Sequence, residues 1–121
     1  MEYLTLNNGV SMPLVGFGTF MLSGETCINA VTAAIENGYR MIDTAEAYGN
    51  EKEVSEGIKQ SGIDRSELFL VTKVNYKSYE HAEKAVMQSL ANLQTDYIDL
   101  LLLHWPFANR YTAWRAGKAV C

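Results

Sequence analysis

The apolar positions of this chain change their period along its length. Residues 3–12 alternate loosely on either side of Asn7-Asn8-Gly9, as Tyr3-Leu4-Thr5-Leu6 and Val10-Ser11-Met12. An Asn-Gly pair between short alternating runs predicts a hairpin over residues 2–13. Pro13 is expected to end the pairing, because it has no amide hydrogen to give. From Leu14 onward, short apolar runs alternate with stretches of helical period. Leu14-Val15-Gly16-Phe17-Gly18-Thr19-Phe20 reads as a first buried strand running into a Gly-Thr turn. A helix should follow from about Glu25, with Ile28, Val31, Ala34 and Ile35 on one face. Asn37-Gly38 is its stop, since glycine accepts the left-handed conformation there.

The second strand, Tyr39-Arg40-Met41-Ile42, leads to Asp43. Asn50 has the side chain to cap the next helix, with Glu53 three residues on. That helix is expected from about Glu51 to Gln60, with Val54 and Ile58 inward and Ser61-Gly62 ending it. Leu68-Phe69-Leu70-Val71-Thr72-Lys73 is the third strand, apolar on both faces as a strand covered on both sides must be. Ser78 then caps a helix on which Ala82, Ala85, Val86, Ser89, Leu90 and Leu93 recur at helical spacing. Glu80 and Lys84 stand one turn apart on its wet face. The fourth strand, Tyr97 to Leu103, delivers His104-Trp105-Pro106, and a fourth helix is expected from Thr112-Ala113-Trp114-Arg115.

Strand centres near Gly16, Ile42, Val71 and Leu101 lie 26, 29 and 30 residues apart. A βα unit of nearly constant length implies a parallel sheet with right-handed crossovers. A doubly wound sheet is the first alternative. A closed (β/α)8 TIM barrel of about 250 residues is eight such units, and this chain carries four strands with three to four helices. The expected fold is therefore α/β, the N-terminal half of a TIM barrel over residues 14–121, preceded by the hairpin. On this reading the chain is truncated at Gly117-Lys118-Ala119-Val120-Cys121.

Composition narrows the function. The 121 residues are nearly half hydrophobic, enough for one domain with a real core. Fourteen acids against ten Lys and Arg give a net charge of −4, and no basic run tracks a phosphate backbone, so nucleic acid is not an expected partner. The longest apolar run, around Leu100–Leu103, is too short to cross a bilayer. Met1-Glu2-Tyr3 lacks the basic start and apolar stretch of a secretion signal, which makes the cytoplasm the expected address. Cys27 and Cys121 have no metal-ligand spacing with each other or with His81 and His104, and read as two reduced thiols.

The candidate chemistry lies at the strand ends. Asp43, Lys73 and His104 each fall at or just after the end of a different strand, and Tyr48 stands in the loop beyond the second. Taken singly each has a plain reading: a loop solvator, a half-buried lid, a strand-end charge and a core histidine. In a parallel array, however, all four point to one rim. A tyrosine holds its proton to a pH of about 10, and a neighbouring lysine cation favours the phenolate. Asp43 can pair with Lys73, and His104 can hydrogen-bond the same reacting oxygen. A phenol and an imidazole around one oxygen suit protonation of a carbonyl oxygen as hydride reaches its carbon. That hydride must come from a cofactor, because no side chain supplies one.

Gly16-Phe17-Gly18-Thr19, Arg40-Met41-Ile42-Asp43-Thr44-Ala45 through Tyr48-Gly49-Asn50-Glu51, Val71-Thr72-Lys73 and Leu103-His104-Trp105-Pro106 together resemble the aldo-keto reductases. The resemblance runs from about Leu4 to Arg115. It implies an NADPH-dependent reductase of aldehydes and ketones acting on a small-molecule carbonyl substrate. It also implies Tyr48 as proton donor, Lys73 as its activator, Asp43 supporting Lys73 near the nicotinamide ribose, and His104 orienting the carbonyl. Gly18 and Thr19 match a turn along the cofactor, while Phe20 and Trp105 match aromatic walls of the substrate pocket. Asn75 stands where many relatives carry a further aromatic wall. Phosphate-binding loops follow the seventh and eighth strands of such barrels, beyond this chain. An open half barrel also exposes two sheet edges, so the alternative expectation is an inactive module that self-associates through its open face.

Overall fold

A computed structural model describes residues 2–107 and 109–120. The N-terminal hairpin pairs β1 (Tyr3–Thr5) with β2 (Ser11–Pro13) antiparallel. Pro13 is the last residue of β2, as expected. It faces Tyr3 in the register, and the Leu14 amide donates to the Glu2 carbonyl at 2.9 Å one step further on. A proline is tolerated at such a position because its missing N–H would point away from the partner strand.

Four strands then form one parallel sheet in chain order: β3 (Phe17–Gly18), β4 (Met41–Asp43), β5 (Phe69–Val74) and β6 (Leu100–Leu103). Between and after them run α1 (Gly24–Glu36), α2 (Glu51–Ser61), α3 (Ala82–Leu93) and α4 (Arg110–Val120). The repeated parallel βα unit is thus present. The first strand is much shorter than the sequence suggests, because β4 offers partners only to Phe17 and Gly18. Leu14 and Val15, expected inside, are 52% and 56% exposed. The fourth strand is also shorter. Asp99 precedes it, and its carboxylate accepts from the Leu70 amide at 2.8 Å while pairing with Arg65 at 2.9 Å.

Three capping details differ from expectation. Asn50 precedes α2 but makes no side-chain cap, having turned its amide inward. Ser78 lies inside a 3-10 turn, Tyr76–His81, so α3 starts only at Ala82. The last helix opens at Arg110, two residues before Thr112.

The core sits on the helix-covered side of the sheet in two clusters. Cys27, Val31, Ile35, Ile42, Val54, Leu68, Leu70 and Leu93 join α1, α2 and the end of α3 to β4 and β5. Val74, Tyr79, Ala82, Val86 and Ala113 join α3 and α4 to the last strands. Gly57 lets α1 and α2 touch: a Cβ there would lie 2.7 Å from the Val31 Cβ and 2.8 Å from the Ile28 carbonyl oxygen. The thiol of Cys27 is free and buried, its pKa raised by burial and by the nearby Glu53 charge. Cys121, expected as a second reduced thiol, lies outside the described residues. Among the described residues no helix is long and apolar enough to cross a membrane.

Candidate active site

The register of the sheet sets which side chains meet. Gly18 faces Asp43, Asp43 faces Val71, and Lys73 faces Leu102. Side chains alternate faces with period two along a strand. Lys73, two residues past Val71, therefore shares a face with Asp43, and His104, two past Leu102, continues it. The His104 amide extends the ladder by donating to the Val74 carbonyl at 3.1 Å. Each later strand reaches two residues further, the stagger that tilted barrel strands require. Sequence spacing and sheet parity thus bring the strand-end groups to one rim.

Lys73 is the centre of that rim. Its ammonium pairs with the Asp43 carboxylate, donates to the Thr44 carbonyl at 2.9 Å, and reaches the Tyr48 hydroxyl at 3.5 Å. The lysine side chain is 12% exposed and that of Asp43 41%, so the pair is open on the carboxylate side. Tyr48 ends a short 3-10 turn, Glu46–Tyr48. Its ring meets Phe20 at 5.2 Å and His104 edge-on at 5.8 Å between centroids. The His104 ring lies flat against Trp105, 5.5 Å between centroids with 6° between planes. Burial lowers the His104 pKa first, the Lys73 cation lowers it further, and Asp43 opposes both. The ring is therefore neutral at pH 7. Among the described residues its Nδ1 is buried without a hydrogen-bond partner.

All four strand-end residues meet at one site. Phe20 and Trp105 flank it, 67% and 51% exposed. Gly18 leaves its backbone uncrowded, with nothing within 4 Å of an added Cβ. Thr19 is fully buried, and both its amide (3.0 Å) and hydroxyl (3.1 Å) donate to the Asp43 carbonyl. Its side chain thus holds the Asp43 backbone in place. Asn75 accepts from the Lys77 amide and opens the turn before α3. No group of three His, Cys, Asp or Glu side chains suited to a metal occurs among the described residues.

Sequence reasoning missed the supports. Glu46 accepts from the Asn75 amide at 2.9 Å and from the Ser78 hydroxyl at 2.7 Å. Buried Asn50 accepts from the Thr44 hydroxyl and donates to the Thr19 and Leu22 carbonyls. An asparagine ahead of a helix reads as a cap, and that reading hid its longer reach.

Comparison with known proteins identifies the family and the fold. The sequence model of the Aldo/keto reductase family matches residues 14–116. The chain is 49% identical over 119 residues to a glyoxal reductase of Bacillus subtilis (strain 168), covering 95% of this chain and 43% of that protein. It is 43% identical over 114 residues to an NADPH-dependent D-xylose reductase of Meyerozyma guilliermondii, covering 89% of this chain and 36% of that one. An aldo/keto reductase from Brucella melitensis superposes with a TM-score of 0.94 at 40% identity, covering 98% of this chain and 47% of that structure. The chain spans about two-fifths of the length of the curated relatives it matches. The four parallel strands correspond to half of the barrel in such structures. The chain belongs to the aldo/keto reductase family.

Proposed function

We propose that this chain carries the proton-delivering rim of an NADPH-dependent reductase that converts aldehydes and ketones to alcohols. The observation that supports it best is the Lys73 ammonium, shared among Asp43, the Thr44 carbonyl and the Tyr48 hydroxyl. Tyr48 is the general acid. As its proton leaves for the carbonyl oxygen, the ammonium stabilises the charge left on the phenol oxygen. Asp43 and Thr44 hold that ammonium in place. Neutral His104, edge-on to Tyr48, orients the carbonyl by a hydrogen bond, with Phe20 and Trp105 as walls.

The site fits a reduced nicotinamide at its open side. Gly18 leaves backbone uncovered there, and the half-exposed Asp43 carboxylate is an acceptor for a ribose hydroxyl. Such a cofactor, when bound, supplies the hydride. The names of the D-xylose and glyoxal reductases support NADPH and small carbonyl substrates for this rim. The test follows NADPH oxidation by the chain with a simple aromatic aldehyde. Turnover is expected to fall at least about a hundredfold in Tyr48→Phe. Turnover surviving that change removes the assignment, and failure to bind or oxidise NADPH removes the reductase reading for the chain itself.

A second reading is self-association of an inactive half barrel through its open barrel face, bordered by the free edge of β6. It is favoured by the exposure of Leu102 on β6 and by a groove of about 410 Å³ along Ile98–Leu103, walled by Ala113 and Trp114. The occupant is a second copy, because eight parallel strands close a barrel and each copy brings four. Size-exclusion chromatography decides it, and a clean monomer ends it.

A further inference from the structure

Two polar side chains near the rim have no part in the proposed chemistry, yet both are tied to one short segment, Glu46 by bonding to it and Tyr79 by belonging to it. The first is Glu46, two residues before Tyr48 in the same 3-10 turn. Its two carboxylate oxygens accept from the Asn75 amide at 2.9 Å and from the Ser78 hydroxyl at 2.7 Å. The second is Tyr79, next to Ser78 and fully buried. Its hydroxyl donates to the Trp105 carbonyl and accepts from the Trp105 amide at 2.9 Å, closing on both polar groups of one residue. Trp105 is the residue against which the His104 ring lies.

We infer that the Tyr76–His81 turn is a spacer that fixes the separation of Tyr48 from His104, with Glu46 and Tyr79 as its two positioning residues. The path is continuous: Tyr48's turn, the Glu46 carboxylate, Asn75 and Ser78, the Tyr79 hydroxyl, the Trp105 backbone, and the His104 ring. Without it, Tyr48 and His104 stand on loops after two different strands, joined by an edge-on ring contact at 5.8 Å and indirectly through β5, where Lys73 reaches the Tyr48 hydroxyl at 3.5 Å and the Val74 carbonyl accepts from the His104 amide at 3.1 Å. Charge-assisted bonds to a carboxylate are among the stronger local constraints. A hydroxyl bonded to both polar groups of one residue fixes that residue's peptides in position as well as in depth. Misplacement by about 1 Å can cost on the order of a hundredfold in rate, so a reductase gains from such a strut.

The inference rests on the reading of Tyr48 and His104 as the groups around one carbonyl oxygen, and the test separates the two. Tyr79→Phe keeps the buried ring and removes only the hydroxyl; Glu46→Ala removes the other end; Glu46→Gln retains an acceptor for Asn75 and a donor for Ser78. Ring-to-ring nuclear Overhauser contacts between Tyr48 and His104 are measured in the whole chain, without substrate. They are expected to weaken in Tyr79→Phe and Glu46→Ala and to persist in Glu46→Gln and in the control Tyr76→Phe. Exchange of the Trp105 amide hydrogen should quicken about fivefold or more in Tyr79→Phe. In the reductase assay kcat should fall about tenfold in the same two variants, with KM changed less than about twofold. Unaltered ring contacts in both Tyr79→Phe and Glu46→Ala overturn the spacer, whatever the turnover. If Tyr79→Phe does not fold, the Glu46 pair alone decides. A wild-type chain without turnover but with the expected changes in ring contact keeps the spacer and sinks the reductase reading.

Discussion

The Thr44 hydroxyl donates to the Asn50 side-chain oxygen at 2.7 Å, out of reach of water, while the Thr44 carbonyl accepts from the Lys73 ammonium at 2.9 Å. One residue therefore ties the helix side of the sheet to the rim. Asn50 extends the tie by donating to the Thr19 and Leu22 carbonyls at 2.9 and 3.0 Å, on either side of Phe20. The amide that might have capped α2 instead fastens the β3 and β4 exits together. Truncation in Asn50→Ala leaves up to three polar groups short of a partner. The expected loss is about 3 kcal/mol, less than the sum of the separate costs because the bonds share one side chain. Asn50→Asp should be at least as damaging, since it turns a carboxylate oxygen toward two carbonyl acceptors. Urea unfolding of both variants checks it, and a loss under about 1 kcal/mol in Asn50→Ala would show that water replaces the amide.

His104 gives the site a pH dependence with a definite sign. Its pKa lies below the ordinary 6.5 because of burial first and the Lys73 cation second, while Asp43 pushes the other way. The fold thus favours the neutral ring. That contribution to stability is complete above the unfolded value and is lost as pH falls from about 6.5 through the folded pKa, where the unfolded chain takes up the proton first. Lys73→Met should raise the His104 pKa without restoring it fully, because burial remains. Asp43→Asn should lower it. Nuclear magnetic resonance titration of the ring reads each shift, and comparison with His104→Gln in urea melts isolates its share of the acid loss.

Gly57 weighs helix propensity against space. Alanine is the better helix former by about 1 kcal/mol. The added methyl, however, would lie 2.7 Å from the Val31 Cβ and 2.8 Å from the Ile28 carbonyl oxygen, and overpacking of this kind costs about 1–3 kcal/mol. A backbone oxygen cannot yield by rotating, and Thr32 already bonds the Gly57 carbonyl at 3.1 Å across the same contact. Net destabilisation of about 1–2 kcal/mol is expected for Gly57→Ala. Val31→Ala keeps its Cβ but removes the Cγ1 atom 2.9 Å from the added methyl, which relieves only that part of the clash, so the double variant should fall somewhat short of the summed single losses in a thermal or urea series.

Much of this arrangement was legible in the letters because it depends on period and length. The recurrence of Ile42, Val71 and Leu101 at nearly equal intervals implied parallel βα units, and the sheet is parallel in chain order. The rim followed from the same regularity, since a residue at the end of a parallel strand has only one end of the sheet to occupy. What escaped were side chains whose partners lie far along the chain. Asn50, Glu46 and Tyr79 bond to residues 31, 29 and 26 positions away, and local propensity assigns such residues to caps, loops and core. Leu14 and Val15 were misread for a related reason: apolarity marks a strand, but only a neighbour's free edge makes one.

Glu51 supplies the last test, because it is an acid kept almost wholly from water. It opens α2, where the helix dipole favours a negative charge. One carboxylate oxygen accepts from Thr72 on β5 at 2.7 Å and the other from Ser89 on α3 at 3.1 Å, so three elements meet at one side chain. The two hydroxyls can donate or accept, so an amide in the same place remains compatible with both. Glu51→Gln should therefore cost under about 1 kcal/mol, since shape and hydrogen bonds persist and only the dipole interaction weakens. Glu51→Ala leaves both hydroxyls without that acceptor and a void between helix and sheet, for an expected loss of about 2–4 kcal/mol. If Gln proves as harmful as Ala in urea unfolding, the negative charge itself, and not the bridging shape, is what the three elements require.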